Sequence, residues 1–254
     1  MYILALETTG KFGSAAIIDE SGRCCDSRSL EQMNHLQDIT TISSDCCTEM
    51  GITPSELTQV AASVGPGSFT GIRIGVTTAR TLGQMLNIPC VAVSSLAAMA
   101  RKGMHTLAEI SAKSEQSNRI ETFVCPIINA RRHQTYAGLW RLKENTIHPE
   151  LPEKQYMIED LLIEIAKRGG TTYFIGDGID AYESIIRDTL AESSFILAEE
   201  SVRYQDARFV AELAREKVLE GEVLTYEQLL PNYMRKSEAE MRLEAGTLSK
   251  KIHG

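Results

Sequence analysis

The chain has 254 residues, 26 basic against 34 acidic, 43% apolar residues and six cysteines, which places it among ordinary globular proteins and excludes collagen-like and disordered classes. That length allows one large domain or two modest ones and buries about three quarters of the unfolded surface without a disulfide or metal staple. A formal charge of −8 argues against autonomous RNA capture, which needs clustered Lys and Arg to neutralise phosphates.

Tyr2 to Leu6 and Phe12 to Ile18 are short apolar runs flanking the polar, glycine-ended turn Glu7-Thr8-Thr9-Gly10, a pattern that predicts a hairpin. A third strand is expected over 23–30. Asn34 with Gln37 three residues later forms a capping box for a helix to Met50, whose apolar stripe is Leu36, Ile39, Ile42, Cys46, Cys47 and Met50. Thr53-Pro54-Ser55-Glu56 repeats the start signal with Pro at the first helical position. The strand Val60 to Val64, the loop Gly65-Pro-Gly-Ser-Phe-Thr-Gly71, a helix from Ile72 to Asn87 and the strand Cys90 to Val93 then make a βαβ crossover with parallel pairing.

Ser94 is expected to cap a helix through about Arg101, and the polar stretch 102–118 to connect two lobes. Strands follow at Glu121 to Ile128 and Gln134 to Leu142, a helix at Ile158 to Arg168, a strand at Thr172 to Ile175 and a helix at Asp180 to Leu190; Asp206 caps a helix to Leu219. Strands come first and helices after in both halves, so the expected architecture is two related α/β lobes, 1–101 and 102–254. The segment from about residue 220 is expected to return to the first lobe, with a charged tail from Pro231 to Gly254.

No apolar run approaches the roughly 18 residues that a membrane helix needs, and Met1 to Gly10 carries Glu7 and no basic region, unlike a signal peptide; a cytoplasmic location is expected. The cysteines, with no C-x-x-C spacing, are read as reduced structural thiols. No two of the five histidines lie within five residues of each other, so no local His-pair metal site exists. Ser68 lies outside any G-x-S-x-G context and has no assignable partner histidine.

Gly65, Gly67 and Gly71 let the backbone turn tightly into a helix N-terminus, where free amides favour anions. With Glu7, Thr8, Thr9, Ser68, Thr70 and Arg73, this loop is a candidate phosphate or partner contact; a purely structural turn is the alternative. Arg73 is a cation in the first helical turn, which the macrodipole disfavours by roughly 0.3–1 kcal/mol. An ion pair with a buried Glu7 is the preferred compensation, a bound phosphate or a partner's acid the alternative. Small residues recur at Gly71, Gly75, Ala79 and Gly83, which calls for another backbone close to this ridge. That backbone is either the protein's own sheet or a second molecule.

The strings Ile3-Leu-Ala-Leu-Glu-Thr-Thr9, Gly65-Pro-Gly-Ser-Phe-Thr-Gly-Ile-Arg-Ile-Gly75, Val91-Ala-Val-Ser-Ser-Leu96, Asn129-Ala-Arg-Arg-His-Gln-Thr-Tyr136 and Pro231-Asn-Tyr-Met-Arg-Lys-Ser-Glu-Ala-Glu240 resemble the TsaB (YeaZ) family of tRNA threonylcarbamoyladenosine biosynthesis proteins, from residue 1 to about 240. The resemblance implies an actin-like, sugar-kinase-like two-lobe fold, each lobe RNase-H-like with a mixed sheet and flanking helices. It implies a non-catalytic paralogue of the transferase TsaD, paired with TsaD and joined by the TsaE ATPase, with tRNA reached only through the complex. The isolated chain is then expected to need no cofactor, ATP or ADP belonging to the assembly.

The same resemblance maps pairing onto the helices Asn34 to Met50 and Thr70 to Asn87, so that Leu36, Ile39, Gly71, Gly75, Ala79 and Gly83 become candidate interface residues, with a homodimer through the same face when the partner is absent. Glu7 and Asn129 stand where the family usually has Asp, and Gly176-Asp177-Gly178 is a faint echo of an adenosine-binding turn. The second lobe is therefore expected to be reduced. An alternative reading is an actin-like ATP-dependent small-molecule kinase that uses Glu7-Thr8-Thr9-Gly10 as its phosphate turn. Peptidase activity has neither a nucleophile–base pair nor a metal site to rest on.

Overall fold

The computed structural model describes residues 1–29, 35–113, 121–144 and 146–234. The first sheet contains β1 (Tyr2–Glu7), β2 (Ser14–Asp19), β3 (Cys24–Arg28), β4 (Gln59–Ser63) and β5 (Cys90–Val93), in the order β3-β2-β1-β4-β5. The hairpin strands pair antiparallel, Leu4 facing Ile17, while β4 joins β1 in parallel through Leu4 and Val60. These strands are apolar on both faces because both are covered. Leu4, Leu6, Ile17, Val60 and Ala62 pack with Ile39 and Ile42 of α1 (His35–Met50) and Ile72 and Val76 of α2 (Phe69–Leu86). Ile3, Ala5, Ala16, Ala61 and Val91 pack with Val210, Ala211 and Ala214 of α6 (Ala207–Leu219).

The second sheet repeats this plan. Its strands β6 (Thr122–Asn129), β7 (Gln134–Lys143), β8 (Thr146–Met157), β9 (Thr171–Ile175) and β10 (Phe195–Leu197) run in the order β10-β9-β6-β7-β8. The first three again pair antiparallel, and the last two again run parallel to β6. α3 (Ser95–Lys113), α4 (Ile158–Arg168) and α5 (Gly178–Thr189) close its core. Each half thus has the order β-β-β-α-β-α-β-α, the RNase-H-like arrangement that the resemblance implies, and the final helices are exchanged: α3 ends the first half but packs on the second sheet, and α6 does the reverse.

That exchange corrects several expectations. The stretch 102–118 is helical as far as Lys113, because Met99 and Leu107 enter the second core and Gly103 lies so close to β6 that a Cβ would sit 2.5 Å from Val124. The polar residues that suggested a linker meet α6 and the approach to it: His105 Nε2 lies 3.2 Å from Glu212, and Lys102 Nζ donates to the Tyr204 carbonyl at 2.9 Å. The expected boundary at residue 102 therefore falls inside α3, and the return to the first sheet begins with α6, before residue 220. Leu224 then exchanges backbone hydrogen bonds with Cys90 at 2.8 Å, and the Asn232 amide donates to Val64.

The second lobe is not reduced, having five strands among the described residues. Its unexpected members are β8, an edge strand that tolerates Pro149 and Pro152, and β10, only three residues long. Asn34 and the Leu36 side chain, expected in the first helix's cap and stripe, and the tail beyond 234 lie outside the described residues.

Asp206 caps α6 by accepting from the Arg208 amide, and its Oδ2 also meets Arg28 at 3.0 Å and the buried Lys102 at 3.4 Å. Burial draws the Lys102 ammonium below its usual range, and Asp206 opposes that shift. This cluster ties β3, α3 and α6 together where the two sheets meet.

Candidate functional site

A cleft of about 670 Å³ opens between the sheets, beyond the carboxyl ends of β1 and β6, the place where α/β sheets hold ligands. Thr9, Gly10, Lys11, Gly67, Ser68, Phe69, Asn129 and Asp177 are among its lining residues. The structure brings the predicted Glu7–Thr9 turn and the glycine loop together here, but turns their polar groups away from the opening.

Glu7 is fully buried. Its Oε1 accepts from the Thr9 amide at 2.5 Å and the Thr9 hydroxyl at 2.7 Å, while Oε2 is a buried atom with no hydrogen-bond partner. The Thr9 hydroxyl also lies 3.1 Å from Ser95 Oγ, which is 2.8 Å from Ser63 Oγ. Thr8, equally buried, donates its hydroxyl to the Gly71 carbonyl at 2.7 Å.

The glycine loop is clasped onto this turn. The Ser68 amide donates to the Thr9 carbonyl at 2.8 Å, and Ser68 Oγ caps α2 by accepting from the Gly71 amide at 3.2 Å. Gly67, at φ +153°, leaves only 2.5 Å between a would-be Cβ and the Thr9 carbonyl oxygen, so the loop needs its glycines for contacts within the chain. Gly65 lies against the Asn232 backbone, and Thr70 is exposed on the first turn of α2.

The expected Glu7–Arg73 ion pair is not formed. The guanidinium of Arg73 lies 4.1 Å from the Phe69 ring centroid, its Nε donates to the Tyr233 hydroxyl at 3.0 Å, and Tyr233 stacks on Phe69 at 4.7 Å. The Phe69 ring and the Tyr233 hydroxyl together offset the unfavourable helix position. Tyr233 lies 160 residues away in sequence, and no local pattern announces it.

The small-residue ridge of α2 faces inward as well, which corrects its assignment to an intermolecular seam. Cβ atoms at Gly71 and Gly75 would collide with the Thr8 carbonyl and hydroxyl oxygens respectively, and one at Gly83 would sit 2.6 Å from Cys90 Sγ. Ala79 and Ile39 are core residues at 0% and 2% exposure. The outward faces include Thr40, Thr41, Ser44, Asp45, Thr48 and Glu49 on α1 and Arg73, Thr77, Thr81, Gln84 and Met85 on α2, with Met85 77% exposed.

On the opposite wall the Asn129 amide donates to Asp177 Oδ1 at 3.0 Å, and Asn129 Oδ1 accepts from the Arg131 amide and the Tyr182 hydroxyl. Burial pushes the Asp177 carboxyl upward. Gly176 presses on the Ile127 carbonyl so closely that a Cβ would overlap it, so this turn serves helix–strand packing. Lys11, the cation of the phosphate-turn side, reaches the Tyr204 hydroxyl at 3.2 Å, and the Gln205 side chain abuts Gly10. These residues do not fit a nucleotide's phosphates: the threonine hydroxyls and the Thr9 amide are already used inside the fold. Among the described residues, no group of three His, Cys, Asp or Glu side chains could hold a metal ion, and no helix is long and apolar enough to cross a membrane.

Burial is the largest influence on Glu7 and raises its carboxyl above the ordinary range, against the hydrogen bonds from Thr9 that lower it. The folded protein thus keeps a proton that the unfolded chain releases. The stability this contributes is complete below the ordinary carboxylate pKa of about 4.3 and declines as pH rises through the higher folded value. Glu7→Gln is expected to remove that dependence. In urea denaturation at stepped pH, the stability of the variant relative to wild type should rise from about pH 4 to about pH 8; a pH-independent difference contradicts the assignment.

The family described as tRNA N6-adenosine threonylcarbamoyltransferase, TsaD, matches residues 29–243. Among individual relatives, the tRNA threonylcarbamoyladenosine biosynthesis protein TsaB of Bacillus subtilis is 29% identical, the match covering 95% of this chain and 97% of that protein. The Escherichia coli TsaB is 27% identical over 96% and 98%. YeaZ from Pseudomonas aeruginosa superposes with a TM-score of 0.73 at 24% identity, over 91% of this chain and 99% of that one, which shows the shared fold. A second Pseudomonas aeruginosa structure, described as an uncharacterized protein with similarity to peptidase YeaZ, gives 0.75 at 25% identity, over 92% and 99%. With an actin-like, sugar-kinase-like pair of RNase-H-like lobes and a match along nearly its whole length, the chain belongs to the TsaB (YeaZ) family, within the wider family that contains the TsaD transferases.

Proposed function

We propose that this chain serves tRNA threonylcarbamoyladenosine biosynthesis as an accessory subunit without catalytic chemistry of its own. It pairs with a TsaD-type transferase, a TsaE-type ATPase joins the pair, and tRNA is reached only through that assembly. The observation that carries this reading is the inward collapse of the cleft's polar groups. Glu7, Thr8 and Thr9 are buried and bonded within the chain, so the positions from which an actin-like catalyst would handle phosphates and a metal serve packing instead. ATP or ADP then belongs to the assembled complex rather than to this cleft. The net charge of −8 supports an indirect route to tRNA.

The pairing surface in this reading is the outer side of α1 and α2, rich in small hydroxyl side chains and free of Lys at its described exposed positions. The same surface makes the homodimer when no partner is present. The kinase alternative is not favoured, because its phosphate turn has no free hydroxyl donor facing the cleft. The test is co-expression with the TsaD homologue: the two proteins are expected to co-purify as a stoichiometric complex, and separate elution at micromolar concentration counts against the proposal.

A further inference from the structure

The turn that joins β6 to β7 holds three consecutive residues with side chains in the left-handed region: Arg131, Arg132 and His133 have φ of +62°, +54° and +60°. Residues with a Cβ visit that region singly, and glycine or asparagine suits it best; neither stands at these positions. The conformation persists because its neighbours over-determine it. Asn129 Oδ1 accepts from the Arg131 amide at 2.8 Å, and the Tyr182 hydroxyl lies 3.1 Å from Asn129 Oδ1 and 2.9 Å from the Gln134 carbonyl. The Arg131 carbonyl accepts from the Gln134 amide at 3.0 Å, and the His133 carbonyl from the Ile158 amide at 2.9 Å. The tip is therefore held rigidly in an unfavourable shape.

What the tip presents is unbalanced positive charge. Arg131 and Arg132 are exposed, and neither forms an ion pair among the described residues, whereas Arg28, Arg101, Arg141, Arg168, Arg187 and Arg203 each meet a carboxylate. The acids of the neighbouring cleft wall and of the start of α4 are engaged elsewhere: Asp177 accepts from the Asn129 amide, Asp180 pairs with Arg203 and Glu159 with His133. Lys11, which lines the same cleft as Arg131, reaches the Tyr204 hydroxyl and forms no ion pair among the described residues. Two open guanidinium forks thus stand at the rim of a chain whose net charge is −8.

We propose that this tip binds the phosphodiester backbone of the tRNA held by the assembly, Arg131 and Arg132 each taking a phosphate. A planar guanidinium matches two phosphate oxygens at once, and a turn already fixed in shape loses little freedom on binding. RNA is the polyanion that the accessory reading, on which this inference rests, brings to the assembly. The tip belongs to the second lobe, whereas α1 and α2 cover the first sheet, so pairing through those helices does not use it. Two phosphate contacts are too few for capture by the lone chain at physiological salt, in keeping with its acidic balance.

Binding of labelled, unmodified tRNA to the assembled chain, TsaD homologue and TsaE homologue is measured by fluorescence anisotropy between about 50 and about 200 mM sodium chloride. Arg131→Ala with Arg132→Ala is expected to weaken binding roughly tenfold and to reduce the slope of log affinity against log salt by about two, with co-purification unchanged. Arg131→Gly with Arg132→Gly relaxes the backbone and is expected to bind as weakly, so a loss of folding is not the cause. Lysine at both positions should restore the slope and only part of the affinity. Arg23→Ala, at the far end of the first sheet, should leave both within about twofold. On the 15N-labelled chain alone at low salt, an RNA oligonucleotide is expected to shift the Arg131, Arg132 and His133 amides more than polyglutamate of equal charge does. Failure of the three proteins to co-purify counts against the accessory reading, and the lone-chain titration still decides this one. Unchanged affinity and slope in an assembled double variant, or polyglutamate shifts as large as those of RNA, which would mark the tip for an acidic protein, overturn the proposal.

Discussion

Gly71→Ala is expected to destabilise the protein by about 3 kcal/mol, the upper range for forced overpacking in a rigid core. The added methyl meets the Thr8 carbonyl oxygen, a backbone atom that cannot rotate away, with Ser68 Cβ 3.3 Å off. Relief would require α2 to move from β1, breaking the Thr8–Gly71 hydrogen bond and loosening the Ile72 and Val76 packing. Chemical denaturation with an unchanged m-value reads the loss, and a loss below about 1 kcal/mol contradicts the close approach. A glycine on an open intermolecular seam would give a different result, since alanine would then improve helix propensity by about 1 kcal/mol.

The opposite signature is expected on the outer side of the same helix. Thr77 and Thr81 are exposed, and Met85 is 77% exposed, so Thr77→Arg combined with Met85→Arg should leave folding stability within about 0.5 kcal/mol. If this face pairs with the TsaD homologue, two buried, unpaired guanidinium groups at its centre should weaken association by at least about 30-fold, the equivalent of about 2 kcal/mol. Analytical ultracentrifugation of the mixed proteins reads it. Unchanged association, with folding intact, places the pairing surface elsewhere.

Local signals gave reliable elements where a cap, an apolar helical period or a glycine-rich turn marks them. Asp206 marks the start of α6, the helix Ile158–Arg168 has the expected bounds, and the βαβ unit around the glycine loop forms as its turn residues imply. Edge strands were harder to read: β8 carries two prolines and an exposed, charged pattern, which a loop shares. The exchange of α3 and α6 between sheets was hidden because an amphipathic stripe shows that a face is buried but not against which sheet. At the candidate site, the sequence marked two segments that the fold brings together and left open what they face. Gly71 meets Thr8 across 63 positions, and Arg73 meets Tyr233 across 160, distances over which residue type carries no directional information. An inward ridge and an outward seam therefore read alike.

The central claim, that this chain supports threonylcarbamoyl transfer by contact and performs no chemistry itself, is tested most directly by reconstitution with purified components. Threonylcarbamoyladenosine formed on unmodified tRNA is measured by mass spectrometry with the TsaD and TsaE homologues, with and without this chain, and with this chain alone. The account predicts modification only when all three proteins are present and none with this chain by itself. Turnover by the lone chain, or full modification in its absence, would contradict it.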